Sequence, residues 1–163
     1  MIDEHLAPRT LVLPRRAGPR PLVTGCAPQV QLDQFPTSTL RPELLERAAS
    51  LPDVDFGPSR RAPPGTVGMH LRGTRCDDCA FMIDREFAHV HPGDDSSLHL
   101  LLPEPLRSEA IAAGWAEPHP LAGEPTVPAG IVFVYAPRTT AELDVVARLI
   151  HASWRNANEV SPD

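Results

Sequence analysis

The sequence predicts an α+β fold: a single domain built mainly on an antiparallel sheet, with helices packed on one face and a histidine-bearing face opposite. Three observations predict it. Residues 86–102 read as two strands, 86–91 and 97–102, joined by a turn at 92–96. Further short alternating or apolar runs stand near them in series. Helical patterns stand at both ends of that series, near 41–51 and from about 139 to 156.

The hairpin carries most of the information. Strand side chains alternate between faces. A simple antiparallel closure sets His91 opposite Ser97 and His89 opposite His99. One face is then Ala88, Val90, Leu98, Leu100 and Leu102, which a core requires. The other holds Phe87, His89, His91, Ser97, His99 and Leu101, with opposed Cβ atoms roughly 5 Å apart. A regular strand points Glu86 to the apolar side. The histidine face is expected to be open, or covered only by the proline-rich arm and the 115–130 loop.

The other elements follow in order. Residues 1–36, rich in proline and without periodicity, read as an extended arm that lies on the domain, and its first part, residues 1–20, is expected to stand outside the domain and to be partly disordered. Leu11 and Leu13 could add a short edge strand. The domain is expected over 21–157, with a tail at 158–163. Pro42 suits a first helical turn, and Leu44, Leu45, Ala48 and Leu51 follow at helical spacing. Val54 and Phe56 suggest a strand ending at Gly57-Pro58, Thr66–Arg72 alternates, and Ala80–Ile83 is short and apolar. Pro105–Gly114 reads as a helix stopped by glycine. Ile131–Ala136 is an apolar strand. Thr139 or Thr140 caps a last helix with Leu143, Val146, Ile150 and Trp154 on its stripe.

Composition excludes several classes. The 163 residues carry a formal charge of −6, against a nucleic-acid binder. All fifteen basic residues are arginine, so a Schiff-base or phosphate-loop lysine is excluded. No run is long and apolar enough for a bilayer, and no secretion signal is visible, so a cytoplasmic location is expected. No nucleotide or heme motif is present. A small-molecule ligand is the expected partner, with a homodimer allowed for.

The blocks REFAHVHPGDDSSLHLLLP, AIAAGWAEPHPLAG and VFVYAPRTTAELDVVARLIHAS, with FGPSRRAPPGTVGMHL and QLDQ upstream, resemble the luciferase-like domain family of bacteria and fungi over about residues 20–156. The resemblance carries no reaction or substrate with it. It implies that Glu86, His89, His91, Ser97, His99, Trp115, His119, Tyr135 and Arg138 are the positions most worth following.

On the residues themselves, His89, His91 and His99 are candidate metal ligands, since three neutral imidazoles leave open positions on Zn, Fe, Cu or Ni. They are equally candidates for metal-free proton transfer, or for a structural face. His119 is a candidate fourth ligand or catalytic group. Trp115-Ala-Glu-Pro-His119 could lid a pocket, with Glu117 and His119 as an acid/base pair. Ser97, Trp115, Arg60, Tyr135 and Arg138 are candidate substrate contacts; Arg60 and Arg61 could hold a carboxylate or phosphate, or merely pair with surface acids. Cys76-x-x-Cys79 lacks the partners of a zinc site and the context of a redox helix. An enzyme acting on a small organic molecule is the leading expectation, a GC-rich bacterial source making specialised metabolism a plausible setting; a non-catalytic ligand-binding or interaction domain is the alternative.

Overall fold

A computed structural model describes residues 11–73 and 81–159. Cys76, Cys79, Ala80 and residues 1–10 therefore lie outside the described residues. The elements run α1 (Leu40–Ala49), β1 (Val54–Pro58), β2 (Val67–Leu71), β3 (Glu86–Val90), β4 (Leu98–Leu101), α2 (Leu106–Ala112), β5 (Ala116–Pro118), β6 (Ile131–Val134) and α3 (Thr140–Glu159). The strands form one antiparallel sheet of order β1-β2-β3-β4-β6-β5. This is the α+β domain that the sequence predicts.

Helices α1 and α3 lie against each other and over the sheet face carrying Ala88, Val90, Leu98 and Leu100, all fully buried. Leu143, Val146, Leu149 and Ile150 of α3 join that core, and Thr139 caps the helix through a bond from Glu142 N–H to its Oγ1 at 3.2 Å. The hairpin pairs His89 with His99 and Val90 with Leu98, and His91 N–H donates to Ser97 O at 2.8 Å. The register follows from the alternation, because a one-residue slip would move every leucine into the wrong layer.

Four local expectations are corrected. Leu11 and Leu13 pair with no strand; they pack as half-buried side chains on the core. Phe81–Ile83 is not a strand, since a tight turn at Ile83–Glu86 uses those backbone groups. Phe87 does not share the histidine face, and Glu86 does. The reason is a β-bulge. Met69 pairs with Ala88, but His70 pairs with Glu86, so Phe87 is an extra residue in β3. The insertion turns Phe87 into the core and leaves its carbonyl free to accept from Ser153 Oγ of α3 at 3.1 Å. Glu86 is thereby swung to the face of His89.

Glycine makes room for this. A Cβ on Gly68 would come within 2.7 Å of His70 Cε1, 3.2 Å of Gly57 O and 3.3 Å of Glu86 Cδ. Strand backbone cannot yield cheaply. Gly68→Ala is expected to lose about 1–3 kcal/mol by overpacking, read as a lower urea midpoint with an unchanged m-value.

Candidate functional site

The histidine face is not open. His89, His91 and His99 are 4 %, 1 % and 5 % exposed. Three segments bury them: 27–29 of the arm, 61–63 after β1, and the loop through His119, Leu121 and Val127. Together with Met82 and Ile131 these enclose a chamber of about 160 Å³, largely apolar apart from the histidines, Gln29 and Arg61. Phe133, opposite His99 in the sheet, packs on both His99 and His91 with ring centroids 5.3 and 6.0 Å away.

The three imidazoles converge. Their centroids lie 4.9–5.3 Å apart, and one ligand atom from each ring falls within 4.8 Å of the others. His89 Nε2 and His99 Nδ1 are 3.1 Å apart. That is the spacing of two nitrogens on one ion, since metal–nitrogen bonds of about 2.0–2.1 Å at octahedral or tetrahedral angles give roughly 2.9–3.4 Å.

Each ring's second nitrogen has a partner. His89 Nδ1 lies 2.7 Å from Glu86 Oε1, which also accepts from Ser59 Oγ at 2.8 Å. His91 Nδ1 lies 2.9 Å from Ser97 Oγ and 3.2 Å from Asp95 Oδ2, while Ser97 Oγ donates to Asp95 Oδ1. His99 Nε2 lies 3.0 Å from Gln29 Oε1. Carboxylate and amide oxygens only accept, so these three nitrogens are the protonated ones in neutral rings. The bare lone pairs left are His89 Nε2, His91 Nε2 and His99 Nδ1. Two of them face each other across 3.1 Å, which is unfavourable without a proton or a cation between them. The donor set and its outer partners thus fit a transition-metal ion.

Burial, opposed by Glu86 and reinforced by His91, holds the His89 pKa below its ordinary value. Burial and then the other histidines hold His99 well below it. His119 is also lowered, first by burial. Neutral rings are the ligand form. His119 stands with its ring 4.9 Å from His99, but its Nδ1 accepts from Leu121 N–H at 3.1 Å. Its proton therefore sits on Nε2, and His119 is built as a donor rather than a fourth ligand.

The remaining candidates lie elsewhere. Trp115 is in the helix-side core, 3 % exposed, and donates from Nε1 to Pro14 O at 2.6 Å. Glu117 does not pair with His119; it accepts from Gln29 at 2.9 Å and from Tyr135 Oη at 2.6 Å. Arg138 holds Glu142, Gln34 and Ala17 O, tying the arm down. Arg60 forms an exposed ion pair with Asp84. Arg61 lines the chamber and donates to Thr126 O at 2.9 Å. Sequence reasoning missed Gln29 and Asp95 and set Glu86 aside. Asp95, four residues after His91 in a short turn, carried a readable signal; Gln29, seventy positions from His99, did not.

Metal-free protein is expected to lose stability in acid. Unfolded histidines titrate near 6.5, whereas folded His89 and His99 titrate lower. Below 6.5 the unfolded chain therefore binds more protons, and stability falls as pH drops from there through the folded pKa values. Melting temperature should be flat from pH 7 to 8 and decline below 6.5, and His99→Gln should flatten the decline.

Residues 84–153 match the family model described as Luciferase domain. A luciferase of Armillaria ostoyae is 33% identical over 158 residues, covering 86% of this chain and 59% of that protein. One of Armillaria mellea is 32% identical over the same shares. One of Neonothopanus nambi is 42% identical over 71 residues, 42% of this chain and 27% of its own length. The chain thus spans less than two thirds of the length of these relatives. No solved structure matches it. Among the described residues no helix is long and apolar enough to cross a membrane. His89, His91, His99 and His119 all lie in the stretch that matches the Luciferase domain model, and over most of its length the chain is similar to fungal luciferases.

Proposed function

We propose that this chain is an enzyme that oxidises a small organic molecule at a metal ion held by His89 Nε2, His91 Nε2 and His99 Nδ1. The observation that carries the reading is the convergence of three buried lone pairs, each backed by a fixed acceptor on the opposite nitrogen. The name luciferase denotes an enzyme of light-emitting oxidation, which supports oxidation as the reaction class and dioxygen as the oxidant. A three-imidazole site with open positions supplies a Lewis acid, and iron or copper could also change oxidation state.

The protein's own groups do the rest. The buried chamber keeps bulk water from the reacting atoms and strengthens every charge interaction inside it. Glu86 and Asp95 fix the orientation of His89 and His91. His119 presents Nε2–H to the chamber as a hydrogen-bond donor for substrate. The volume of about 160 Å³ suits one ring, as a dry cavity of about 150 Å³ admits benzene. A larger groove of about 960 Å³ shares Arg61, Met82 and Val127 with the chamber and would take the remainder of a longer molecule. Arg61 stands where the two meet.

A second reading rests on the Glu86–His89–His99 chain of close contacts, which could relay a proton without metal. A binding module without turnover is the third. Purified protein is expected to carry about one iron or copper ion per chain by elemental analysis. His89→Ala should lose both the ion and activity while the chain stays folded, because the leucine face carries the core, and its melting temperature should fall by the share that the bound ion contributes. Activity that survives chelation, with a pH limb below 6.5, would replace the metal reading with the relay. A metal-binding protein that consumes no dioxygen with any aromatic substrate would leave the binding module.

A further inference from the structure

The chamber ligand with the least obvious support is His99, whose outer nitrogen meets an amide rather than a carboxylate. An amide can present either end. If Gln29 turned its NH₂ toward His99, it would donate to Nε2, and His99 would carry its proton on Nδ1, aimed at the ion site. His99 would then have no lone pair to give. Something must fix which way the amide faces.

Building on the metal reading above, we propose that Glu117 is a positioning residue that sets the tautomer of His99 through Gln29. Glu117 Oε1 lies 2.9 Å from Gln29 Nε2. A carboxylate only accepts, so the reversed amide would set two oxygens against each other at that distance. The forward amide donates to Glu117 and offers its oxygen to His99 Nε2–H at 3.0 Å. The proton is thereby kept off Nδ1, whose lone pair faces His89 Nε2.

Glu117 is itself held. Its Oε2 accepts from Tyr135 Oη at 2.6 Å and from Arg20 Nε at 2.7 Å. Burial, and then the bond to Glu117, push the Tyr135 phenol up to about 12, so it stays a donor at neutral pH. The sheet contributes too, because Glu117 pairs with Phe133 and Phe133 with His99, which places Glu117 in the same cross-strand row as the ligand. Arg20 and Gln29 both come from the arm. The arm is thus part of the site: it brings one residue to touch the ligand and another to anchor the carboxylate that orients it.

The test reads the tautomer directly. Long-range proton–nitrogen correlation spectra of metal-free, ¹⁵N-histidine-labelled protein at pH 7.5 should show His99 protonated on Nε2. In Glu117→Gln the new amide can accept or donate, so Gln29 is released and His99 should become a mixture, with Nδ1–H appearing. Affinity for cobalt(II), read from its visible spectrum, should fall about 10–100-fold, the usual effect of losing an outer partner. Gln29→Leu should weaken cobalt binding as well, and Glu117→Asp, which keeps an acceptor-only group, should restore part of the wild-type nitrogen pattern. Wild-type His99 found protonated on Nδ1, which needs no variant to observe, would overturn the proposal. So would a folded Glu117→Gln protein with an unchanged tautomer. A wild-type protein that shows Nε2–H, loses it in Glu117→Gln, yet takes up no cobalt would support the role of Glu117 and overturn the metal reading alone.

Discussion

The structure of the site depends on one extra residue in one strand. Without the bulge at Phe87, Glu86 would face α3 as an unpaired charge in an apolar layer, at a cost of several kcal/mol. With it, the carboxylate turns to the other face, and there it finds His89, Ser59 and, at 3.5 Å, His70. Three features must be present together for this. Gly57 and Gly68 leave the space beneath. Ser153 of the long helix takes the carbonyl that the bulge strips from the ladder. His70 reaches over the glycines toward the second carboxylate oxygen. The core face and the site face are therefore not independent: an α3 hydroxyl on one side stabilises the backbone that aims a carboxylate on the other.

The hairpin was legible because the information that sets it is local and periodic. Alternation and a five-residue turn are enough to pair His89 with His99, and the sheet obeys them. What was not legible falls into two physical kinds. A bulge adds one residue without changing composition or apparent pattern, so a regular reading of Glu86-Phe87-Ala88 inverts the first residue. Strand β5 has three residues, too few to show alternation, so Trp115 and Glu117 read as parts of one lid. The structure splits them across the sheet, the indole into the core and the carboxylate onto the histidine side. The other kind is distance. Gln29 sits in a proline-rich segment with no periodicity, and nothing local marks it as the partner of a ring seventy positions on.

That segment is also why the histidine face is not solvated. A sheet of six strands with helices on one side leaves its other side bare, and the described arm supplies the missing cover by polar links more than by apolar area. Arg16 N–H bonds Ala113 O at 2.9 Å, and Gln31 Oε1 accepts from Ala136 N–H at 2.9 Å. Arg138 reaches Ala17 O at 2.7 Å. Each link ends on a backbone group of the domain or the arm, and the arm adds a short ladder of its own, Leu32 N–H to Leu22 O at 2.8 Å and Thr24 N–H to Val30 O at 3.1 Å. Leu22 and Leu32 meanwhile remain exposed.

Burial and polarity are thus set against each other by design of the same elements. Removing the His89 and His99 imidazoles from water favours their neutral forms, and neutral rings are needed to coordinate a cation. Yet neutral rings in a dry chamber leave lone pairs without partners, the costly state of any buried acceptor. The outer acceptors remove the freedom by which the rings could relieve this, since Glu86, Asp95 and Gln29 each hold a proton on the far nitrogen. The lone pairs are therefore turned toward one another and kept there. A group of that kind is stabilised most by a positive charge at its centre, which explains why a sheet face that could have been leucine is instead built from His89, His91 and His99, with a carboxylate or amide behind every ring.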